Sequence, residues 1–311
     1  MPKSSQLHQN RPLENISIAY RNGDLVADML FPTLPVVHES DTYYVYTKDN
    51  LRLNQTLRAN GAEANEADWA LSTASYRLDR HDLKHLVTDD DRNNADKAIK
   101  LDIDATEFLT DQILLRKEVG AATLAFTAAN WANTTSLTST LAWSSNSEGS
   151  NPILVAHSAA STIAQNAGKR PNVCAVDLRT YQALREHVSV IDRVKHTSKE
   201  SVTENVLATL FDVSQLLVAS GIRNTGEEAL TDTTSFIWTD AALFCYIEKA
   251  PSLKKLSTFY QFVQNNANGN GRTVKKYRDE PREGDMVEVQ SKYDLVAVAS
   301  DTAYLVVNTV Q

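Results

Sequence analysis

Two segments near the N-terminus decide the fold: Asp41-Thr-Tyr-Tyr-Val-Tyr-Thr-Lys48 and Trp69-Ala-Leu-Ser-Thr-Ala-Ser-Tyr-Arg-Leu78. Their alternating aromatic and β-branched residues predict strands, and Asn60-Gly61 between them favours a reversal because both residues tolerate positive φ. Residues 38–85 are therefore predicted to form a two-stranded ribbon. A lone hairpin is at best marginal in water. We expect this ribbon to lie on another surface, which can belong to a second copy of the chain.

The composition indicates a folded, soluble protein of one large or two modest domains. The chain has 311 residues, 42% of them hydrophobic, which is enough for a core. No apolar run is long enough to span a bilayer, and the first ten residues lack the apolar centre of a signal peptide. We therefore expect synthesis in the cytoplasm and no membrane partner. A net charge of -8 argues against tight wrapping of nucleic acid, although DNA confined nearby without sequence-specific binding remains compatible.

The N-terminal half shows an arm, the ribbon, a connector and a long helix. An amphipathic piece over residues 16–30 is predicted to end at Phe31-Pro32, and Pro35 favours an extended connector. Residues 88–96 indicate a turn-rich acidic connector. Asp104 and Glu107 match a helix N-cap and its partner three residues later, and a helix is predicted over residues 104–132. Its apolar face is predicted to contain Phe108, Leu115, Val119, Ala122 and Phe126.

The C-terminal half indicates a mixed α/β region. Residues 134–150 are rich in Ser, Thr and Asn and predict an exposed loop. Gly168 is a predicted C-cap and Asp177 a predicted N-cap. The predicted helices cover residues 153–167, 177–187 and 203–211, and the predicted strands cover residues 171–176, 215–219, 236–238, 241–247, 284–293 and 303–307.

Patterns that indicate chemistry are weak throughout. Cys174 and Cys245 lie in apolar runs without the paired spacing of a zinc site, so we predict inert buried thiols. Asp89, Asp91 and Asn93 begin like a calcium loop, but the required later Gly and Glu are missing, and a solvated acidic turn is favoured. His81 and His85 lack a third ligand. The glycines near residue 270 resemble a flexible hairpin tip more than a phosphate loop. We predict no catalytic, metal or cofactor site.

The ribbon itself carries both signs of charge. Its predicted inter-subunit contacts are aromatic anchors and charged residues, namely Tyr44, Tyr46, Arg52, Arg58, Glu63, Glu66, Trp69, Tyr76 and Arg77. Isolated charges of this kind usually form a solvated surface. The alternative is charge complementarity with the equivalent arm or spine of a neighbouring copy, where opposite signs set the register.

Taken in order, these segments resemble the major capsid protein of tailed double-stranded DNA bacteriophages, the Hong Kong 97-type capsid fold. The similar stretches begin at about residue 16 and continue to the end. They are Ala19-Tyr-Arg-Asn-Gly-Asp-Leu-Val-Ala-Asp28 with Phe31-Pro32, Tyr43-Tyr-Val-Tyr46, Ala105-Thr-Glu-Phe-Leu109, Gly168-Lys-Arg-Pro-Asn172 and Phe236-Ile-Trp238.

The resemblance implies an α+β fold in four parts. These are an N-terminal arm (1–37), an extended loop (38–85), a peripheral domain (86–151 and 256–300, with spine helix 104–132) and a mixed α/β axial domain (152–255 and 301–311). It implies a structural, non-enzymatic protein without cofactors. Copies would form pentamers and hexamers that close into an icosahedral shell around DNA, first as a procapsid that expands.

The resemblance also implies partners and a location. The chain reaches the arm almost at once, so a separate scaffolding protein is expected, together with portal and decoration proteins. Subunit contacts are expected to be non-covalent, although Lys48 with Asn50 or Asn54 invites comparison with family members that form isopeptide bonds. The protein would reside in the virion. Three alternatives stay open: an encapsulin-type nanocompartment shell, a soluble α/β enzyme, and a smaller tail or decoration component.

Overall fold

The computed structural model describes residues 22–23, 25–95, 100–145, 147, 149–195, 202–226, 231–250, 255–265 and 271–311. Most of the predicted arm helix over residues 16–30 lies outside these ranges, as does the predicted hairpin tip at Gly269. Of the arm, a short helix over Ala27–Leu30 is described.

The described strands alternate with helices after the first quarter of the chain. In chain order the strands are β1 (Thr33–Val36), β2 (Ser40–Tyr46), β3 (Leu71–Arg77), β4 (Asp79–Thr88), β5 (Thr134–Ser136), β6 (Val173–Asp177), β7 (Gln215–Ala219), β8 (Ile222–Asn224), β9 (Thr234–Phe236), β10 (Ala241–Cys245), β11 (Phe259–Gln264), β12 (Arg272–Asp279), β13 (Gly284–Ala297) and β14 (Ala303–Val307). The helices are α1 (Ala27–Leu30), α2 (Asp89–Asn94), α3 (Leu101–Phe126), α4 (Pro152–Ala167), α5 (Leu178–Glu186), α6 (Val188–Val194) and α7 (Glu204–Leu210).

The first sheet is built around the long strand β13. Its order is β1-β11-β13-β12, and β4 also pairs with β13, in antiparallel register from Thr88 opposite Gly284 to Asp79 opposite Tyr293. Residues 79–88 therefore belong to this sheet, and the predicted ribbon over residues 38–85 extends too far. The predicted extended connector after Phe31 is strand β1, which pairs in parallel with β11.

The second sheet has the order β5-β14-β10-β6-β7 and is covered on both faces. Strands β6 and β10 are buried at every position, as expected for strands that are covered on both sides. Helices α4 to α7 share one apolar cluster with the sheet, which includes Ile163, Leu184 and Phe244. The other face packs on α1 and the end of α3 in a second cluster.

Most predicted elements of this region are confirmed, including its caps. Gly168 ends α4 with a φ of 67°, and the Asp177 carboxylate accepts hydrogen bonds from the Arg179 and Thr180 amides at the start of α5. Two predictions are wrong. The strand predicted over residues 236–238 is the short β9, which ends at Phe236 and pairs with β8. The loop predicted over residues 134–150 contains strand β5 and the buried Trp143.

The long helix α3 spans both sheets. It begins at Leu101, so Asp104 lies in its first turn and is not the N-cap, and it ends at Phe126 rather than near residue 132. Its N-terminal half buries Ala105, Leu109 and Ile113 against β4 and β13, whereas its C-terminal half buries Ala121, Ala122 and Ala125 in the cluster with the second sheet. Two members of the predicted apolar face are confirmed, since Ala122 is buried and Phe126 packs on the same cluster, and the face is wrong at Phe108, which is 57% exposed.

The acidic connector is more ordered than predicted. Residues 89–94 form α2, which begins after Thr88, and the Thr88 hydroxyl accepts a hydrogen bond from the Asp91 amide at 3.1 Å. Three aspartates in its first turn suit the positive end of the helix dipole. A threonine N-cap followed by carboxylates explains why this segment is helical rather than a turn.

Candidate assembly interface

The predicted ribbon is present as an antiparallel pair of strands. Strands β2 and β3 pair from Ser40 opposite Arg77 to Tyr46 opposite Leu71. The base of the ribbon packs on the chain's own first sheet, where the Tyr76 ring lies nearly parallel to the Phe262 ring at 4.5 Å. The Tyr76 hydroxyl also donates to the His38 carbonyl at 3.2 Å. Tyr76 is buried within its own chain, so little of its side chain is available for the inter-subunit contact predicted from the sequence.

Charged groups hold the ribbon base to the same sheet. Lys292 forms an ion pair with Glu39, and the hydrogen bond from Lys292 lowers the pKa of the Glu39 carboxyl. The backbone amide of Arg77 donates to the Asp294 carboxylate at 3.1 Å, while the Arg77 side chain stays exposed. Burial raises the pKa of Asp294. The base of the ribbon is therefore held against its own chain. A contact with another molecule is expected to involve the residues beyond strands β2 and β3.

Beyond the strands, residues 51–69 form what we call the projecting loop. Asn50 closes its base, since its side-chain oxygen accepts from the Ala70 amide at 3.0 Å. The Asn65 side chain donates to the Gln55 carbonyl at 2.7 Å and joins the two limbs. The reversal lies where the sequence predicts it, because Gly61 has a φ of 81° and the Ala62 amide donates to the Ala59 carbonyl.

The projecting loop exposes apolar side chains that a stable monomer would bury. Leu51 is 75% exposed, Leu53 98% and Leu57 81%. Trp69 and Tyr44 are also exposed, as the sequence analysis expects of contact residues. We did not predict the three leucines. Leu51, Leu53 and Leu57 are two and four residues apart, so they can face the same side of an extended segment. Apolar residues in this pattern outside a paired strand are the sequence signal for an exposed apolar surface.

The remaining predicted contact residues lie on or beside this loop. Arg52, Arg58, Glu63 and Glu66 are all exposed. Arg52 pairs with Asp49 at 2.8 Å. The side chain of Tyr46 lies outside the described residues. Five of the nine predicted contact residues thus lie in the projecting loop, namely Arg52, Arg58, Glu63, Glu66 and Trp69, and all five are exposed.

A buried carboxylate fixes the arm to the spine. Glu118 on α3 is 1% exposed and accepts three hydrogen bonds, from the amides of Val26 and Ala27 and from the Trp238 indole. The distances are 3.0, 2.9 and 2.7 Å. Next to it, Lys117 forms an ion pair with Asp28. Sequence reasoning missed this site because its partners lie about a hundred residues away on either side.

An ion-pair network joins α2, the start of α3 and strands β12 and β13. It contains Asp89, Arg92, Asp102, Lys276, Arg278 and Asp285, and Glu280 adds a further contact to Arg278. Arg278 binds Asp89 through two nitrogens at 2.7 and 2.6 Å. Hydrogen bonds from Arg92 and Lys276 lower the pKa of Asp285, and the hydrogen bond from Arg278 lowers that of Asp89. The aspartate that the sequence places in a weak calcium pattern is thus an ion-pair partner.

The described residues offer no cluster of metal-ligating side chains. They contain no group of three or more His, Cys, Asp or Glu side chains that could hold a metal ion. His81 stacks on Tyr293 at 4.7 Å between ring centres. Cys174 and Cys245 are both buried free thiols, as predicted, and burial raises the pKa of each. Among the helices that the structure describes, none is long and apolar enough to cross a membrane.

Comparison with known proteins points to phage capsids. No protein-family model matches the sequence. The chain is 28% identical over 238 residues to the major capsid protein of Burkholderia phage BcepMu, covering 76% of this chain and 75% of the relative. It is 26% identical over 252 residues to the major capsid protein of Pseudomonas phage JBD67, covering 79% and 80%.

Solved structures agree at the level of the fold. A phage-related protein from Bordetella bronchiseptica RB50 matches with a TM-score of 0.71 and 22% identity, over 93% of this chain and 94% of that chain. A chain of the cyanophage P-SCSP1u capsid matches with a TM-score of 0.63 and 10% identity, over 94% and 90%. The holo-SrpI encapsulin complex of Synechococcus elongatus matches with a TM-score of 0.57 and 12% identity, over 97% and 96%. The chain has the mixed α/β fold of phage capsid proteins, and the resemblance to their major capsid proteins that the sequence predicts is confirmed.

Proposed function

We propose that this protein is the major capsid protein of a tailed bacteriophage and that its copies assemble into the shell that encloses the double-stranded DNA genome. The observation that carries the proposal is the projecting loop, in which Leu51, Leu53 and Leu57 are each at least 75% exposed. A contact repeated from copy to copy would bury them. The relatives named as phage major capsid proteins support the same function.

In this proposal the chain divides as the resemblance implies. Strands β2 and β3 with the projecting loop are the extended loop, α3 with the first sheet is the peripheral domain, and the second sheet with α4 to α7 is the axial domain. Strand β5 pairs with β14, so we assign residues 134–136 to the axial domain rather than to the peripheral one. Pentamers and hexamers then tile an icosahedral shell through repeated heterologous contacts.

The proposal includes a structural, non-enzymatic role in the virion, with assembly in the bacterial cytoplasm. The net charge of -8 suits a wall that contains DNA without gripping it. We keep a separate scaffolding protein, a portal and decoration proteins as expected partners, and procapsid expansion as the expected maturation step. Contacts between subunits are proposed to be non-covalent, so a denaturing gel of mature shells should show a single band near 34.4 kDa.

Electron microscopy of the purified protein tests the proposal. Expression together with its neighbouring phage genes should yield closed shells that contain DNA, and expression alone should yield capsomers or irregular shells if a separate scaffold is needed. Uniform shells from the single gene would remove the scaffold from the proposal. A monomer or dimer in size-exclusion chromatography under all conditions would overturn the shell itself and favour a soluble enzyme.

The encapsulin alternative rests on one observation, the match to an encapsulin chain. Both curated relatives are phage proteins, which favours the virion. Nucleic-acid content separates the two: shells that carry DNA support the capsid, whereas shells that carry a host enzyme and no DNA support the encapsulin.

A further inference from the structure

We propose that Asn60, at the tip of the projecting loop, is a site of spontaneous deamidation. The sequence has four Asn-Gly pairs, which begin at Asn22, Asn60, Asn268 and Asn270. In this dipeptide the asparagine side chain is readily attacked by the following backbone nitrogen, because glycine has no Cβ to obstruct the approach. The asparagines of the last two pairs lie outside the described residues. The structure therefore allows a comparison of Asn60 with Asn22.

The reaction needs only the Asn-Gly pair and water. The Gly61 backbone nitrogen loses its proton to base in the solvent and forms a bond to the Asn60 Cγ. The bond from Cγ to Nδ2 then breaks, and the amide nitrogen takes up a proton and leaves as ammonia. Water opens the resulting cyclic imide. Opening at Cγ gives aspartate, and opening at the backbone carbonyl gives isoaspartate, in which the main chain runs through Cγ.

The tip of the projecting loop leaves both reacting groups accessible. Asn60 and Gly61 are exposed, and neither the Asn60 side chain nor the Gly61 amide is hydrogen-bonded to another described residue. Nothing lies within 4 Å of the position that a Cβ on Gly61 would occupy. The turn is spanned by a hydrogen bond from the Ala62 amide to the Ala59 carbonyl at 3.2 Å. This bond leaves the peptide plane between residues 60 and 61 able to rotate for the attack.

Asn22, which precedes Gly23, is held away from the same reaction. Its Nδ2 donates to the Ile222 carbonyl at 2.9 Å, and its Oδ1 accepts from the Ile222 amide at 3.0 Å. Both polar atoms of the side-chain amide are thus bonded to strand β8. These hydrogen bonds have to break before Cγ can turn toward the Gly23 nitrogen, and their loss adds to the barrier. The fold therefore protects one Asn-Gly pair and leaves the other open.

Deamidation changes both the charge and the length of the projecting loop. Either product adds a carboxylate a few residues from Glu63 and Glu66, which are exposed in the same loop. Isoaspartate also adds a methylene to the main chain inside the turn. Charge and shape decide whether a contact surface fits its partner. If the proposed shell function holds, deamidated copies assemble less well and accumulate among the free subunits.

Peptide mapping by mass spectrometry tests the site. Folded protein is kept in mildly alkaline buffer, and the peptide with Asn60 should gain the mass difference between OH and NH2. It should react at least about tenfold faster than the peptide with Asn22, because two hydrogen bonds protect Asn22. In denatured protein the two should react at similar rates. Asn60→Gln should remove the signal, since the longer side chain would have to close a larger ring.

Two results for the folded protein would overturn the proposal. One is a peptide with Asn60 that stays unmodified while the denatured sample reacts. The other is equal deamidation of Asn22 and Asn60, which would show that the fold does not select between them.

The same mapping on shells and free subunits of one preparation tests the consequence for assembly. The deamidated fraction at residue 60 should be larger in the free subunits than in the shells. Equal fractions would overturn the link to assembly. Failure of the unaltered protein to form any shell would instead contradict the proposed function.

Discussion

Glu118 joins three parts of the chain through one buried carboxylate. Its Oε1 accepts from the Val26 amide and the Trp238 indole, and its Oε2 accepts from the Ala27 amide. Glu118→Ala should lower the free energy of unfolding by at least about 3 kcal/mol, because three buried donors lose their acceptor. Glu118→Gln should cost less, since its amide oxygen can still serve two of the three.

Denaturant unfolding followed by circular dichroism measures both variants of Glu118. Gln112→Ala, at an exposed position of the same helix, is the control and should change stability by no more than about 0.5 kcal/mol. Equal losses for Glu118→Gln and Glu118→Ala would show that the negative charge, and not the number of acceptors, holds the arm.

The two cysteines give a second prediction for single residues. Cys174 and Cys245 are fully buried, and desolvation raises the pKa of both thiols, so the reactive thiolate is suppressed in the folded chain. A chromogenic thiol reagent at pH 8 should label neither cysteine in native protein and both after addition of denaturant. Labelling of a native thiol at the rate of a free cysteine would contradict the burial of β6 or β10.

At the scale of elements, the ion-pair network predicts sensitivity to acid. The pKa values of Asp89 and Asp285 are lowered in the folded state. Their contribution to stability is therefore complete above the ordinary aspartate pKa of about 4, and it is lost as the pH falls through the lower folded values. We expect the midpoint of denaturant unfolding to decrease as the pH is lowered from about 5 to about 2.

Asp285→Asn isolates the share of this network in the acid response. The variant should be less stable than the unaltered protein at pH 7, and the difference should shrink at low pH, where both side chains are uncharged. Asp192→Asn, which removes an exposed pair within α6, is the matched control. A difference that stays constant from pH 7 to pH 2 would assign the loss to packing rather than to charge.

Elements that depend on local signals could be predicted from the sequence. Strands β6, β10 and β14 are apolar runs, and Gly168 and Asp177 mark helix ends by their own conformation and hydrogen bonding. The exposed and buried faces of α3 could not be predicted, because its two halves pack on different sheets with different sides. The hydrogen bonds to Glu118 could not be predicted either, because a single glutamate in a helix does not indicate donors that are distant in sequence.

The fold class could be predicted from the resemblance, but the exposed residues of the contact surface could be identified only from the structure. Tyr76 matches the pattern of an interface aromatic, yet Phe262 covers it from a strand almost 190 residues later. The leucines of the projecting loop match the pattern of core residues, yet they are exposed. The sequence shows which side chains are apolar, but whether an apolar side chain is buried depends on the residues that pack against it in the folded chain.

At the scale of the whole molecule, the projecting loop separates folding from assembly. Deletion of residues 51–66 removes the exposed leucines and keeps the stem, in which Asn50 binds Ala70. The shortened chain should stay folded and soluble, with the thermal midpoint of the unaltered protein within a few degrees, and should form no closed shells in electron micrographs. Replacing Leu51, Leu53 and Leu57 by Ser keeps the loop length and should have the same effect. Normal shells from either variant would contradict the role of the loop.

Strand β14 lies between β5 and β10 in the second sheet, although it is the last strand of the chain. Until residues 303–307 have left the ribosome, β5 and β10 each have one edge without its partner. The sheet therefore cannot be completed before residues 303–307 have emerged, and a nascent chain that stalls earlier presents two open edges. A copy whose second sheet is complete has therefore been translated at least through residue 307.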